Sequence, residues 1–88
     1  MNHRHRKVLH QIFAHPVNPN IHFRDIESVF SELGAELGHT GNGRLKVELN
    51  GHTGSFHSGE KTAPKEEVMQ IRKFLEEAGI DAARDYPL

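Results

Sequence analysis

The chain has 88 residues, a length that predicts one domain with a small hydrophobic core. It contains no cysteine, which excludes disulfide bonds and thiolate zinc sites and fits a reducing cytosol. With 11 Lys and Arg against 12 Asp and Glu the net charge is −1, which is not the overall charge of a dedicated nucleic-acid-binding protein but leaves room for a local basic face. No apolar run reaches membrane-spanning length, and no signal-peptide pattern opens the sequence.

The first predicted element is a helix over residues 3–14. It is expected to stop at the His15-Pro16 pair, because the residue before a proline is biased away from helical geometry. Pro16 and Pro19 then make an extended connector, so that residues 1–20 form a helix and a linker ahead of the main domain. The apolar side of this helix consists of Val8, Ile12 and Phe13, with Leu9 beside them.

Two further helices are predicted over residues 21–33 and 64–79. Gly34 and Gly79 suit the left-handed position that follows a helix, and Pro64 suits a first helical position. Acidic residues in the first turn of each helix complement the helix dipole. The buried stripes are Phe23, Ile26, Val29, Phe30 and Leu33 in the earlier helix, and Val68, Ile71, Leu75 and Ala78, with Phe74 alongside, in the later one.

A β-hairpin is predicted between the two helices, over residues 44–57. Leu45, Val47 and Leu49 alternate with polar residues, which is the period of a strand with one buried face. Asn50-Gly51 follows at once and is typical of a two-residue type I′ turn, in which both central residues need φ > 0.

A two-residue turn determines which residues of the hairpin face each other. A slip by one residue would turn His57 towards the core, so every inference about that side chain depends on the turn. The expected pairs are Leu49–His52, Val47–Gly54 and Leu45–Phe56 on the apolar face, and Arg44–His57, Lys46–Ser55 and Glu48–Thr53 on the other face.

The predicted architecture is α+β, with one helix ahead of an α-β-β-β-α core. A short strand over 35–39 and a turn over 40–43 precede the hairpin. The chain is thus a single domain with its core at residues 21–80 and a frayed tail at 81–88. Two helices are expected to cover one face of a three-stranded antiparallel sheet and to leave the other face open.

The open face carries the predicted chemistry. A histidine beside cations suits the cleavage of a phosphate ester, which needs a base to take a proton and cations to hold the phosphate. His57 is the candidate general base, and Arg44, Lys46 and Lys61 are the candidate phosphate ligands. Charged residues on a strand are more commonly a plain solvated surface, and that alternative stays open. The other seven histidines match no zinc motif, so neither a metal nor a cofactor is predicted.

The ordered set of motifs over residues 21–80 resembles the HicA family of bacterial toxins. The set is a glycine-bearing turn before a strand, a strand that ends in His57, and three short sequences: Leu33-Gly34-Ala35, Ser58-Gly59-Glu60-Lys61 and Ala78-Gly79-Ile80. The chain differs from the usual family pattern at two places. It has Asn42-Gly43-Arg44 where the family has glycine-serine-histidine, and Glu66-Glu67-Val68 where the family has glycine-threonine-leucine.

The resemblance implies a fold like a double-stranded-RNA-binding domain and a metal-independent cleavage of mRNA. It also implies that His57 carries the activity and that a HicB-like antitoxin protein silences it, with no membrane and no metal involved.

Two other functions fit the same predicted fold. One is a non-catalytic RNA-binding domain that reads the RNA backbone, and the small number of basic residues argues against it. The other is a protein-interaction module that uses the open sheet face or a strand edge. A histidine beside two cations favours the ribonuclease over the interaction module.

Overall fold

A computed structural model of the chain describes residues 1–58 and 60–88, so Gly59 of the predicted Ser58–Lys61 loop lies outside the described residues. The fold is α+β, with helices on one face of a three-stranded antiparallel sheet. None of the described helices has the length and the apolar character needed to span a bilayer. The elements are α1 (His3–Phe13), α2 (Phe23–Glu32), β1 (Glu36–His39), β2 (Arg44–Leu49), β3 (His52–His57), α3 (Lys65–Glu77) and α4 (Ala82–Asp85).

The hairpin adopts the predicted register. Arg44 pairs with His57 and Leu45 with Phe56, and the sheet order is β1-β2-β3. Asn50 and Gly51 have φ angles of 52° and 83°, the two positive values that a type I′ turn requires. The Asn50 amide also donates to the carbonyl of Ala78 at 2.9 Å, which ties the turn to the end of α3.

An aromatic cluster joins the sheet to both covering helices. The ring centroids of Phe30, Phe56 and Phe74 lie 5.6–6.1 Å apart, within the range of favourable aromatic pairs. Gly54 completes the packing, since a Cβ atom there would lie 2.9 Å from the Phe74 ring. Phe56 is therefore held firmly on the helical side of β3.

The N-terminal helix α1 packs against α2, α3 and α4. It buries Leu9 completely, whereas Phe13, predicted as part of the same stripe, is only partly buried. Residues four positions apart share one face of a helix, so the sequence predicted that Leu9 and Phe13 lie on the same side. It did not show that Leu9 is at the centre of the buried face and Phe13 at its edge.

Three further expectations differ from the structure. Helix α2 begins at Phe23 rather than at residue 21, because residues 21–23 pair with residues 61–63 instead. The Phe23 N–H donates to the Lys61 carbonyl and the Ala63 N–H donates to the Ile21 carbonyl, each at 2.9 Å. His52 pairs with Leu49 as expected, but its side chain, predicted on the apolar face, is exposed. The tail contains helix α4, which Asp81 caps by accepting from the Arg84 N–H and which buries Ala82.

The C-terminal ends of α2 and α3, which are followed by Gly34 and Gly79, have the predicted hydrogen bonds. The Ala35 N–H donates to the Phe30 carbonyl at 3.0 Å, and the Ile80 N–H donates to the Leu75 carbonyl at 2.9 Å. These bonds span one more residue than those inside the helix, which is the pattern of a helix that ends on a left-handed residue.

Candidate functional site

The face of the sheet opposite the helices is polar, and its charge is divided between two ends. Arg44 and His57 occupy one end, Lys46 lies in the middle beside the acidic end, and all three are exposed. At the other end Glu36 of β1 lies directly across from Glu48 of β2, and two like charges in that position repel each other. An anionic ligand on this face is therefore directed to the end that carries His57.

His57 is held in its outward direction by its neighbour in the chain. Phe56 lies in the aromatic cluster and is 4% exposed, and successive side chains of a strand point to opposite faces. The imidazole therefore stands on the open face for as long as Phe56 is packed.

The backbone of His57 is also fixed, by a carboxylate from α3. Arg44 and His57 form a pair whose backbone groups point away from each other, so the His57 N–H faces the outer edge of the sheet. Glu67 accepts the hydrogen bond from that N–H. Glu67 is the third residue of α3, where a glutamate often bonds back to the N–H of the capping residue; here that residue is Pro64, which has no N–H.

The residue after His57 is bonded to the turn before β2. The N–H and the hydroxyl of Ser58 both donate to the Gly43 carbonyl, at 2.8 and 2.9 Å. The end of β3 is thus bonded on both sides, to Glu67 and to Gly43, and His57 lies between these two bonds.

Arg44 faces His57 across the strands, but its guanidinium is bonded to Ser55. Its Nε donates to the Ser55 hydroxyl at 2.9 Å, and one terminal nitrogen donates to the Ser55 carbonyl at 3.1 Å. These bonds hold the guanidinium at Ser55, which lies on the open face two residues before His57 on β3. They use two of its five N–H donors, so the remaining donors are oriented by the same bonds.

The two predicted lysine ligands lie in different places. Lys46 is exposed on the open face, between Gly38 of β1 and Ser55 of β3. Lys61 is exposed too, but it lies in a concavity beside the start of α2 together with His22 and Arg24. The structure therefore brings together three of the four predicted site residues and separates Lys61 from them.

The other histidines mostly connect elements of the fold. His5 pairs with Glu32, His39 pairs with Glu27 at 2.8 Å, and His10 bonds to the backbone carbonyl of Tyr86 at 2.8 Å. Within residues 1–58 and 60–88, no group of three His, Asp or Glu side chains is arranged to hold a metal ion.

Sequence reasoning missed the part that Glu67 plays, because it assigned Glu67 only to the helix dipole. The signal that was present is the combination of Pro64 with a glutamate three residues later, which leaves the carboxylate without its usual partner. Arg4 and Arg24 were not assigned either, since their proximity to Lys61 depends on the long-range pairing of residues 21–23 with 61–63.

Comparison of the chain with protein-family models, with curated proteins and with solved structures finds no match. The resemblance to the HicA family therefore stays a prediction that rests on the ordered motifs of the sequence.

Proposed function

We propose that this chain is a metal-independent endoribonuclease of the HicA type, with His57 as the general base. The observation that carries the proposal is an exposed histidine at a strand end whose backbone is bonded on both sides, paired across the strands with an arginine whose guanidinium is held at Ser55 on the same face. A base and a cation on one rigid sheet face are the two groups that cleavage through the 2′-hydroxyl requires.

The proposed reaction is a transesterification within the RNA strand. A ring nitrogen of His57 takes the proton of the 2′-hydroxyl, and the 2′ oxygen then forms a bond to the neighbouring phosphorus. The bond from that phosphorus to the 5′ oxygen of the next nucleotide breaks, and the leaving oxygen takes a proton from water. Arg44 and Lys46 stabilise the charge on the phosphate oxygens. The products are a 2′,3′-cyclic phosphate and a 5′-hydroxyl end, and the imidazolium returns its proton to solvent.

The fold and the partner belong to the same proposal. The α-β-β-β-α order, with two helices on one sheet face, supports a likeness to double-stranded-RNA-binding domains. A HicB-like antitoxin is expected to silence the enzyme by covering the open face, where it would displace RNA from Arg44 and His57.

The test is cleavage of a labelled single-stranded RNA by the purified chain. His57→Gln should retain the fold, since His57 is exposed, and should lower the rate by a factor on the order of 10²–10⁴, the usual contribution of general acid–base catalysis. Arg44→Ala and Lys46→Ala should lower activity less, chiefly through weaker RNA binding. A chelator should leave the rate unchanged.

The substrate supplies the sharpest control. An RNA with a single 2′-deoxy residue at the cleavage position should resist cleavage at that bond alone, because it lacks the attacking hydroxyl. His52→Gln is the matched protein control, since His52 is also exposed on β3 but lies at the far end of the strand. Equal rates for the native chain and His57→Gln would disprove the role of His57. RNA binding without cleavage would instead indicate a non-catalytic RNA-binding domain.

A further inference from the structure

A concavity beside the start of α2 gathers cations from three distant parts of the chain. It is lined by Arg4 of α1, by His22 and Arg24, by Asp25, and by Lys61 of the segment before α3. Three of these side chains carry a positive charge and one carries a negative charge. The pairing of residues 21–23 with 61–63 brings Lys61 to this place, so the cluster is a product of the fold.

The acidic groups of this region are largely engaged by partners. The Arg4 guanidinium bonds to Asp25 at 3.2 Å, while the Arg4 side chain stays 76% exposed and the Asp25 side chain only 16%. Glu27 is bonded to His39. Glu60 lines an adjoining depression, and its carboxylate lowers the positive charge there. Arg24 and Lys61 are exposed at the mouth, and Arg4, whose bond to Asp25 uses one terminal nitrogen, is exposed beside them.

The concavity continues towards His57. An adjoining depression shares His22, Arg24 and Lys61 with it and extends to Ser58, the residue that follows His57. A strand that runs from His57 past Ser58 would reach Lys61 and Arg24, across a lining that also contains Glu27 and Glu60.

We propose that Arg4, Arg24 and Lys61 bind a backbone phosphate of the RNA strand that His57 cleaves, away from the scissile bond. This inference rests on the proposed ribonuclease function and adds a second phosphate site to it. It also gives the N-terminal helix a part in substrate binding, because α1 supplies Arg4. Cations in exposed, flexible side chains suit a phosphodiester, which presents charge without a fixed side-chain shape.

The first test measures RNA binding as a function of salt in the full chain carrying His57→Gln, which is expected to bind without cleaving. For single strands, each phosphate contact contributes about 0.7 to the slope of log Kobs against log salt concentration. Added to this background, the double variant Arg24→Ala/Lys61→Ala should make the slope shallower by about 0.7, the contribution of one phosphate, and each single variant by no more than that. Lys73→Ala is the matched control, an exposed cation on α3 outside the concavity, and should leave the slope unchanged.

The second test locates the strand by NMR on ¹⁵N-labelled protein of the same background. A short single-stranded RNA should shift the amide signals of Arg24 and Lys61 together with those of Lys46 and residue 57. Shifts confined to the sheet face, with an unchanged slope in the double variant, would overturn the second site and leave the ribonuclease proposal standing.

Two other outcomes separate the ligands. Inorganic phosphate is the second probe, and saturation of the concavity at the same concentration as with RNA would overturn the assignment to a strand. Shifts at the concavity with RNA, from a native chain that cleaves nothing, would support the phosphate site and overturn the ribonuclease.

Discussion

Replacing Gly54 by alanine tests the packing that directs His57 towards solvent. The new Cβ atom would lie 2.9 Å from the Phe74 ring, closer than such atoms approach in folded proteins, and 3.0–3.1 Å from the Phe56 ring, closer than in most Cβ contacts. Both rings belong to the aromatic cluster and are buried, so the strand or a ring must shift. Overpacking of this kind costs about 1–3 kcal/mol. In a domain of this size, that corresponds to a Tm lower by roughly 5–20 °C.

Gly38→Ala is the matched control for this prediction. Gly38 lies on the open face of the same sheet, and a Cβ atom there would meet nothing within 4 Å. The same added methyl group should therefore leave stability unchanged or raise it by about 0.4–1 kcal/mol through the unfolded chain. Urea denaturation of the two variants measures the difference. Equal unfolding free energies would refute the argument that the Phe56–Phe74 contact leaves room only for glycine.

The remaining predictions concern the supports of the fold. Leu9→Ala should lower the free energy of unfolding by about 2–5 kcal/mol, because Leu9 is fully buried; unchanged stability would show that α1 is an appended arm. Asn50→Gly keeps the turn conformation but removes the amide bond to Ala78, and should cost about 0.5–1.5 kcal/mol in the same assay. The hydrogen bond from Arg84 lowers the pKa of Asp85 from 3.8 to about 2. Because the pKa of Asp85 is lower in the folded state, the stability that this carboxylate contributes is present above pH 3.8 and is lost as the pH falls towards 2. Asp85→Asn should therefore flatten the acid side of the Tm–pH profile.

The hairpin was predictable because its signals are local. A two-residue turn with Asn50-Gly51 and a strict alternation from Leu45 to Leu49 together allow one register, and the structure has that register. The positions of Arg44, Lys46 and His57 on the open face follow from it. No local signal shows how residues 60–63 travel, and the backbone bonds to residues 21–23 decide that path. For this reason the sequence identified Lys61 as a cation without placing it beside Arg24.

The two departures from the HicA pattern both lie at the candidate site. Arg44 stands where the family pattern has a histidine; it pairs with His57 across the strands, and its guanidinium is held by Ser55. Glu67, within the sequence that replaces glycine-threonine-leucine, accepts the N–H at the exposed edge of the strand that ends in His57. A threonine has a shorter side chain than a glutamate, so the bond from α3 to the strand end depends on the residue this chain has.

Glu67→Gln keeps an acceptor oxygen and should preserve the strand end, whereas Glu67→Ala leaves the His57 N–H to solvent. If the bond positions His57 for catalysis, the alanine variant should cleave RNA more slowly than the glutamine variant while binding it equally well. Equal cleavage rates for the two would show that Glu67 only protects the sheet edge.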